Sequence, residues 1–214
     1  MKKPLKDRLI NLLKTSQIEI FNRYRRLTKH KTIDLRYANL HSANLHSADL
    51  RSADLRSADL CNANLGYADL RSANLHSANL HSADLRSADL RSANLCNANL
   101  GYADLRSADL RSADLHSADL RSANLHSADL RSADLRSADL RSADLCGTNL
   151  DFAGFSLSCA SLKFKSDSRI RIQLMYHCLS LIKHSDNASK EEEKIFEFCR
   201  KYANKFHRTD VKKL

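Results

Sequence analysis

The sequence predicts an all-β solenoid, a short polygonal coil stacked on itself, with α-helical pieces at both ends. Three observations predict it. Leu occupies every fifth position from Leu35 to Leu150, 24 times without a gap. Ala stands two residues before nearly every Leu, as at Ala38, Ala43 and Ala48, with Ile33 and Thr148 replacing it in two units. The residue between them is always Asp or Asn, fifteen Asp and nine Asn.

A period of five fits neither regular element. On an α-helix the Leu series would spiral around the surface, because five residues turn about 500°. On a long strand successive Leu would alternate between faces. Ala-x-Leu does point two apolar side chains the same way over one extended step, and the other two residues can then turn a corner. Step plus corner, repeated, makes a polygonal coil with Ala and Leu inside. Such coils stack by main-chain hydrogen bonds at a spacing of about 4.8 Å.

Units such as Arg51-Ser52-Ala53-Asp54-Leu55 are similar to the A(D/N)LxX motif of the pentapeptide-repeat family, and the similarity runs over residues 33–155. That resemblance, to bacterial and especially cyanobacterial members, implies a right-handed quadrilateral β-helix with four pentapeptides per coil. Twenty-four units then give about six coils and a rod of about 29 Å. The rod also carries an internal duplication. Residues 41–75 and 76–110 match at 33 of 35 positions and differ only at Asp59/Asn94 and Asn74/Asp109. Thirty-five residues is seven units, so with four units per coil each copied feature lands one face away from its original.

An open stack of coils exposes an unpaired edge at each end, and the flanks read as covers for those edges. Residues 1–32 form the first, a basic amphipathic helix over 5–27 with Leu9, Leu13, Ile20, Phe21, Tyr24 and Leu27 on its apolar side. The stretch Ile20-Phe21-Asn22-Arg23-Tyr24-Arg25 is similar to the N-terminal cap of family members. Residues 156–214 form the second. One helix is expected over about 168–183. Another starts at Ser189, where a capping box reaches Glu192 and Ile195, Cys199, Tyr202 and Phe206 make the stripe. This pair is either a lid or a homodimer contact.

Charge is distributed unevenly. The chain is +10 overall, but residues 33–155 hold twelve Arg against sixteen Asp, and the excess of Lys and Arg lies in the flanks. A mildly acidic rod with basic ends is a different object from a uniformly basic protein. The six Cys form no CxxC pair and read as thiols of a reducing, cytoplasmic compartment. Lys14 interrupts the N-terminal apolar stretch, so no secretory signal is read, and no apolar run approaches the roughly 20 residues of a membrane span.

No catalytic constellation stands out. The sequence has no GxSxG, phosphate-loop or HExxH motif, and the repeat carboxylates read as an exposed, solvated face. The chain is therefore read as a non-enzyme without a cofactor. Residues 20 apart should stack on one face, which puts His41, Cys61 and His81 in a column, and His76, Cys96 and His116 in its duplicated image. His and Cys are zinc ligands, but three in line at about 4.8 Å suit a tetrahedral ion poorly, and no metal is assigned. His177, Cys178, His184 and His207 lack ligand spacing.

The same stacking gives the surface most expected to meet a partner. Arg51, Arg71, Arg91, Arg111 and Arg131 fall in one column, beside Asp49, Asp69, Asp89, Asp109 and Asp129. The other three faces mix Arg with His, Cys or Gly. The first expectation is a scaffold that binds an unidentified protein through this ladder. The resemblance also brings a second, mimicry of duplex DNA toward a type II topoisomerase such as gyrase, although twelve Arg offset most of the sixteen Asp. A third is nucleic-acid binding through the basic ends.

Overall fold

The computed structural model describes residues 4–29 and 31–155. The chain divides into two compact units, Met1–Lys165 and Ser166–Leu214. The second unit, with the two expected C-terminal helices, lies outside the described residues. Among the described residues no helix is long and apolar enough to cross a membrane.

The pentapeptide period becomes a coil of four repeats. Asp34 pairs in parallel with Asp54, Asn39 with Asp59, and so on to Asp129 with Asn149, always 20 residues apart. Pairing extends to two residues where β1 (Asp134–Leu135) meets β2 (Gly154–Phe155) in parallel. Each repeat donates to its neighbouring coils through the same three main-chain N–H groups. Leu70 N–H reaches Asp89 O at 2.7 Å, Ser72 N–H reaches Arg91 O at 3.0 Å, and Asp69 N–H reaches Ala48 O at 3.0 Å. Every extended step is thus only one or two residues long, and a bend separates it from the next.

Each corner closes with an Ala N–H donated to the Leu carbonyl three residues back, 3.0 Å for Ala53 to Leu50. The residue before that Ala takes a positive φ in repeat after repeat, 54° at Ser52 and 57° at Ser112. Left-handed backbone strains most side chains by about 1–2 kcal/mol, and Ser is a small, polar occupant. Ser112→Val should therefore lower stability by about that amount while Ser112→Gly should not, as read from urea unfolding midpoints. Equal midpoints for the two variants would contradict this account of the corner.

Ala and Leu of the repeats line the interior, with Leu35 through Leu125 fully buried. Thr148 is buried at an Ala position, and its hydroxyl donates to Leu125 O at 2.9 Å, so the extra polar atom is satisfied.

The N-terminal segment departs from the single helix expected over 5–27. It forms α1 (Leu5–Lys14) and α2 (Ile18–Leu27), separated by Thr15, Ser16 and Gln17, with Ser16 at φ 56°. The break rotates the apolar stripe. Leu9, Leu13 and Phe21 are buried as expected, but Ile20 and Leu27 face outward, and Arg25 is fully buried instead.

Two polar side chains of α2 explain the rotation. In the first coil, side chains of α2 reach main-chain groups of Ser47, Asp49 and Arg51. Asn22 Oδ1 accepts from Asp49 N–H at 2.7 Å, and Asn22 Nδ2 donates to Ser47 O at 2.9 Å. Arg25 Nε donates to Asp49 O at 3.1 Å, and its two terminal nitrogens donate to Lys31 O and Arg51 O. Asn22 and Arg25 are spaced three apart on one helix face.

Candidate functional site

The Asp or Asn of each repeat has a structural task that a reading as solvated surface overlooks. Its Oδ1 accepts the N–H of the residue two positions on, 3.3 Å for Asp69 and Arg71, 3.1 Å for Asn64 and Gly66. This local bond holds the chain as it enters the corner, and it needs a short side chain with an acceptor oxygen, which Asp and Asn share. The carboxylates are correspondingly sheltered. Asp69 and Asp89 are only 29% and 28% exposed.

Arg builds on that turn. In every Asp-Leu-Arg unit the guanidinium folds back onto the Asp, Nε to Oδ1 and Nη2 to Oδ2, as at 2.8 and 2.6 Å for Arg71 and Asp69. All twelve Arg of the rod follow an Asp at this spacing and none follows an Asn, a pairing visible in the sequence. The fork geometry is the strong, bidentate kind.

The expected ladder is in register. Arg51, Arg71, Arg91, Arg111 and Arg131 pair with Asp49, Asp69, Asp89, Asp109 and Asp129, at Nη2–Oδ2 distances of 2.5–2.8 Å. Four of the five Arg also reach the Asp of the next coil. The Nε–Oδ2 distances are 3.2 Å from Arg51 to Asp69, 3.4 Å from Arg71 to Asp89, 3.5 Å from Arg91 to Asp109 and 3.7 Å from Arg111 to Asp129. On other faces such steps occur singly, from Arg36 to Asp54, Arg86 to Asp104 and Arg121 to Asp139. The column therefore differs from its neighbours by continuity and not by the kind of pair.

Burial pushes the Asp89 and Asp109 carboxyls up, but the hydrogen bonds and charge of Arg91 and Arg111 outweigh it and leave both below the usual carboxylate range. At Asp84 and Asp119 the side-chain bond from Arg86 and Arg121 is itself the largest influence and lowers the pKa. The Asp69 bond raises the Arg71 pKa in return.

The histidine and cysteine columns fall one coil apart as expected, but the ligands that converge are different. His41, Asp59 and Cys61 offer ligand atoms that all lie within 4.8 Å of one another. His81 is turned to other partners, its Nδ1 lying 3.0 Å from Ser82 Oγ and its ring 5.5 Å from that of Tyr102. Among the described residues no second group of three converges in this way, so the duplicated column of His76, Cys96 and His116 makes none.

Two surface notches were not anticipated. Gly66 and Gly101 leave gaps where other repeats carry long side chains, each beside an exposed Tyr whose ring lies tilted against a His, Tyr67 against His46 at 5.4 Å and Tyr102 against His81. The open volumes are about 340 and 350 Å³, flanked by Arg86 and Arg106 in one and by Arg121 and Arg141 in the other. The signal was the dipeptide Gly-Tyr, present twice through the duplication.

Comparison with known proteins places this architecture. The sequence model described as pentapeptide repeats matches in eight copies, over residues 33–60, 53–91, 88–126, 114–151 and 123–159. Among solved structures, the chain is similar to the pentapeptide-repeat protein Rfr23 of the cyanobacterium Cyanothece 51142, at 38% identity over 47% of this chain and 60% of that one, with a TM-score of 0.33. It is also similar to HetL of Nostoc sp. strain PCC 7120, a protein involved in heterocyst differentiation regulation. Identity there is 30% over 62% of this chain and 78% of that one, TM-score 0.24. A third is alr5209 of Nostoc, 35% identical over 51% of this chain and 84% of that one, TM-score 0.27. The match to Rfr23 spans less than two thirds of that protein. No curated protein matches the chain. With 24 unbroken units and a family match across the whole rod, the chain belongs to the pentapeptide-repeat family, whose members fold as right-handed quadrilateral β-helices.

Proposed function

We propose that the chain is a non-catalytic protein-interaction module that presents the Arg51–Arg131 face to a protein partner. A rod of about six coils holds that face flat, and α1 and α2 cap one end. The supporting observation is the unbroken ladder of five Arg–Asp pairs, four of them linked to the next coil. Pairing removes net charge but fixes each guanidinium plane, so little side-chain freedom is lost when a partner's carboxylates or carbonyls dock on the remaining N–H edges. Duplex mimicry would need an uncompensated acidic face, and here every Asp of the column is answered by an Arg. The unpaired thiols of Cys61 and Cys96 suit a reducing, cytoplasmic setting.

The test is capture of partner from source-cell lysate by the immobilised full chain. Changing Arg71, Arg91 and Arg111 to Gln should reduce capture at least tenfold, by roughly 1.4 kcal/mol or more of binding. Changing Arg56, Arg86 and Arg136, which lie off the ladder, should leave capture intact while removing the same charge. Equal capture by both triple variants would overturn the assignment of this face.

A further inference from the structure

We infer that His41, Asp59 and Cys61 form a binding site for one divalent cation of the zinc, cobalt or nickel class. The three ligand atoms lie within 4.8 Å of one another, and His41 Nδ1 stands 3.9 Å from Asp59 Oδ2. Metal–ligand bonds of about 2.0–2.3 Å in a tetrahedral shell put ligand atoms roughly 3.2–3.8 Å apart, so the side chains need to close only slightly. His41 is exposed and free to make that adjustment by rotation about its own bonds.

The arrangement removes the objection to an in-line column. His41 comes from one coil, and Cys61 from the same face of the next. Asp59 enters from beside Cys61, two residues earlier in the same repeat, so the three donors form a triangle. Asp59 is also oriented for the task. Its Oδ1 accepts from Cys61 N–H and from Asn79 Nδ2, each at 3.1 Å, while Oδ2 faces His41. A ligating carboxylate held by its second oxygen is the usual support of a metal site. One imidazole, one carboxylate and one thiolate suit zinc, cobalt or nickel and not the oxygen-preferring magnesium or calcium. A fourth position stays open to water or to a donor from a bound partner.

The internal duplication supplies a control inside the same chain. The copied position of the triad is His76, Asn94 and Cys96, and the only change among the ligands is Asp59 to Asn94. Asn94 Oδ1 already accepts the Cys96 N–H at 3.0 Å, and the other end of an amide is an NH₂ group with no lone pair to give. His126, Asp144 and Cys146 repeat the same order at the same spacing, yet among the described residues only His41, Asp59 and Cys61 converge.

Titration of the full chain, purified without a histidine tag, with Co²⁺ tests the site through the thiolate-to-cobalt charge-transfer band. D59N and C61S should each remove one equivalent of bound Co²⁺ together with its band, weakening that site at least about tenfold. The order His126, Asp144, Cys146 and the C-terminal His and Cys are untouched by both variants, so the difference from the unmodified chain isolates this site. D59N should fold normally, because nine repeats already carry Asn at this position. Conversely, N94D should add one equivalent. A stoichiometry and band unchanged by D59N or C61S, or an N94D chain that gains no cobalt, would overturn the assignment.

Discussion

Leu90→Ala is expected to destabilise the rod by about 3–5 kcal/mol, measured by urea unfolding with an intact baseline on both sides of the transition. Leu90 is fully buried, and so are Leu70 and Leu110, its equivalents one coil below and one coil above. Deleting its side chain leaves a void between two coils whose spacing is set by main-chain hydrogen bonds. Leu90 N–H reaches Asp109 O at 2.7 Å, and Asp89 N–H reaches Ala68 O at 3.0 Å. Those bonds hold the backbone at strand spacing on both sides, so the neighbours cannot collapse into the gap, and the cost should fall at the upper end of the usual range. Position should matter as well. A solenoid is stabilised by nearest-neighbour coupling between its turns, and a defect in the middle weakens two interfaces while one at the last coil weakens one. Leu145→Ala should accordingly cost less than Leu90→Ala. A loss below about 1 kcal/mol at Leu90 would mean that the coils relax far more than their hydrogen bonding suggests.

What the sequence disclosed and what it concealed divide along one line. The apolar residues were legible because period five has few solutions that keep Leu and Ala inside, and the 20-residue bridges have the spacing that four repeats per turn demands. Polar residues were misjudged wherever the backbone uses them. Asp and Asn look like surface by composition, yet their Oδ1 holds the entry to each corner. The clue was their exclusivity, since Glu, Gln, Ser and Thr never replace them in the 24 units. The Arg column follows from the period alone, through the 20-residue register of Asp49, Asp69, Asp89, Asp109 and Asp129. Its bidentate pairing could have been found too, from the rule that Arg follows Asp and never Asn. In α2 hydrophobic periodicity pointed inward with Ile20 and Leu27, and structure turned both out. A helix against an open coil edge must first satisfy carbonyls and amides, so its inward stripe includes Asn and Arg, residues that a hydrophobic count assigns to solvent. The triad of His41, Asp59 and Cys61 was half visible, because the column supplied two ligands while the third came from the turn residue beside it.

Arg25 carries the other large expectation. Arg25→Met keeps much of the side-chain volume but removes every donor, and it should destabilise the chain by roughly 3 kcal/mol or more and promote end-to-end association. The side chain is fully buried, and burial is the largest influence on its pKa, which it lowers, opposed by the charge of Asp49. An Arg is held in such a place by its hydrogen bonds, here to the carbonyls of Asp49, Lys31 and Arg51. Each buried carbonyl that loses its donor costs about 1–3 kcal/mol, and Arg25 donates to three of them. The alternative open to the variant is for α2 to lift away and let water in, which bares the main-chain edge of the first coil. An exposed edge of this kind is a template for pairing with another chain. Two readouts separate the steps, the unfolding midpoint for the lost bonds and light scattering after size exclusion for the bared edge. Arg25→Lys should fall between, because one ammonium can serve fewer of the three carbonyls and lacks the planar fork. An Arg25→Met chain that unfolds at the original midpoint and elutes at the original size would show that the first coil does not depend on this contact.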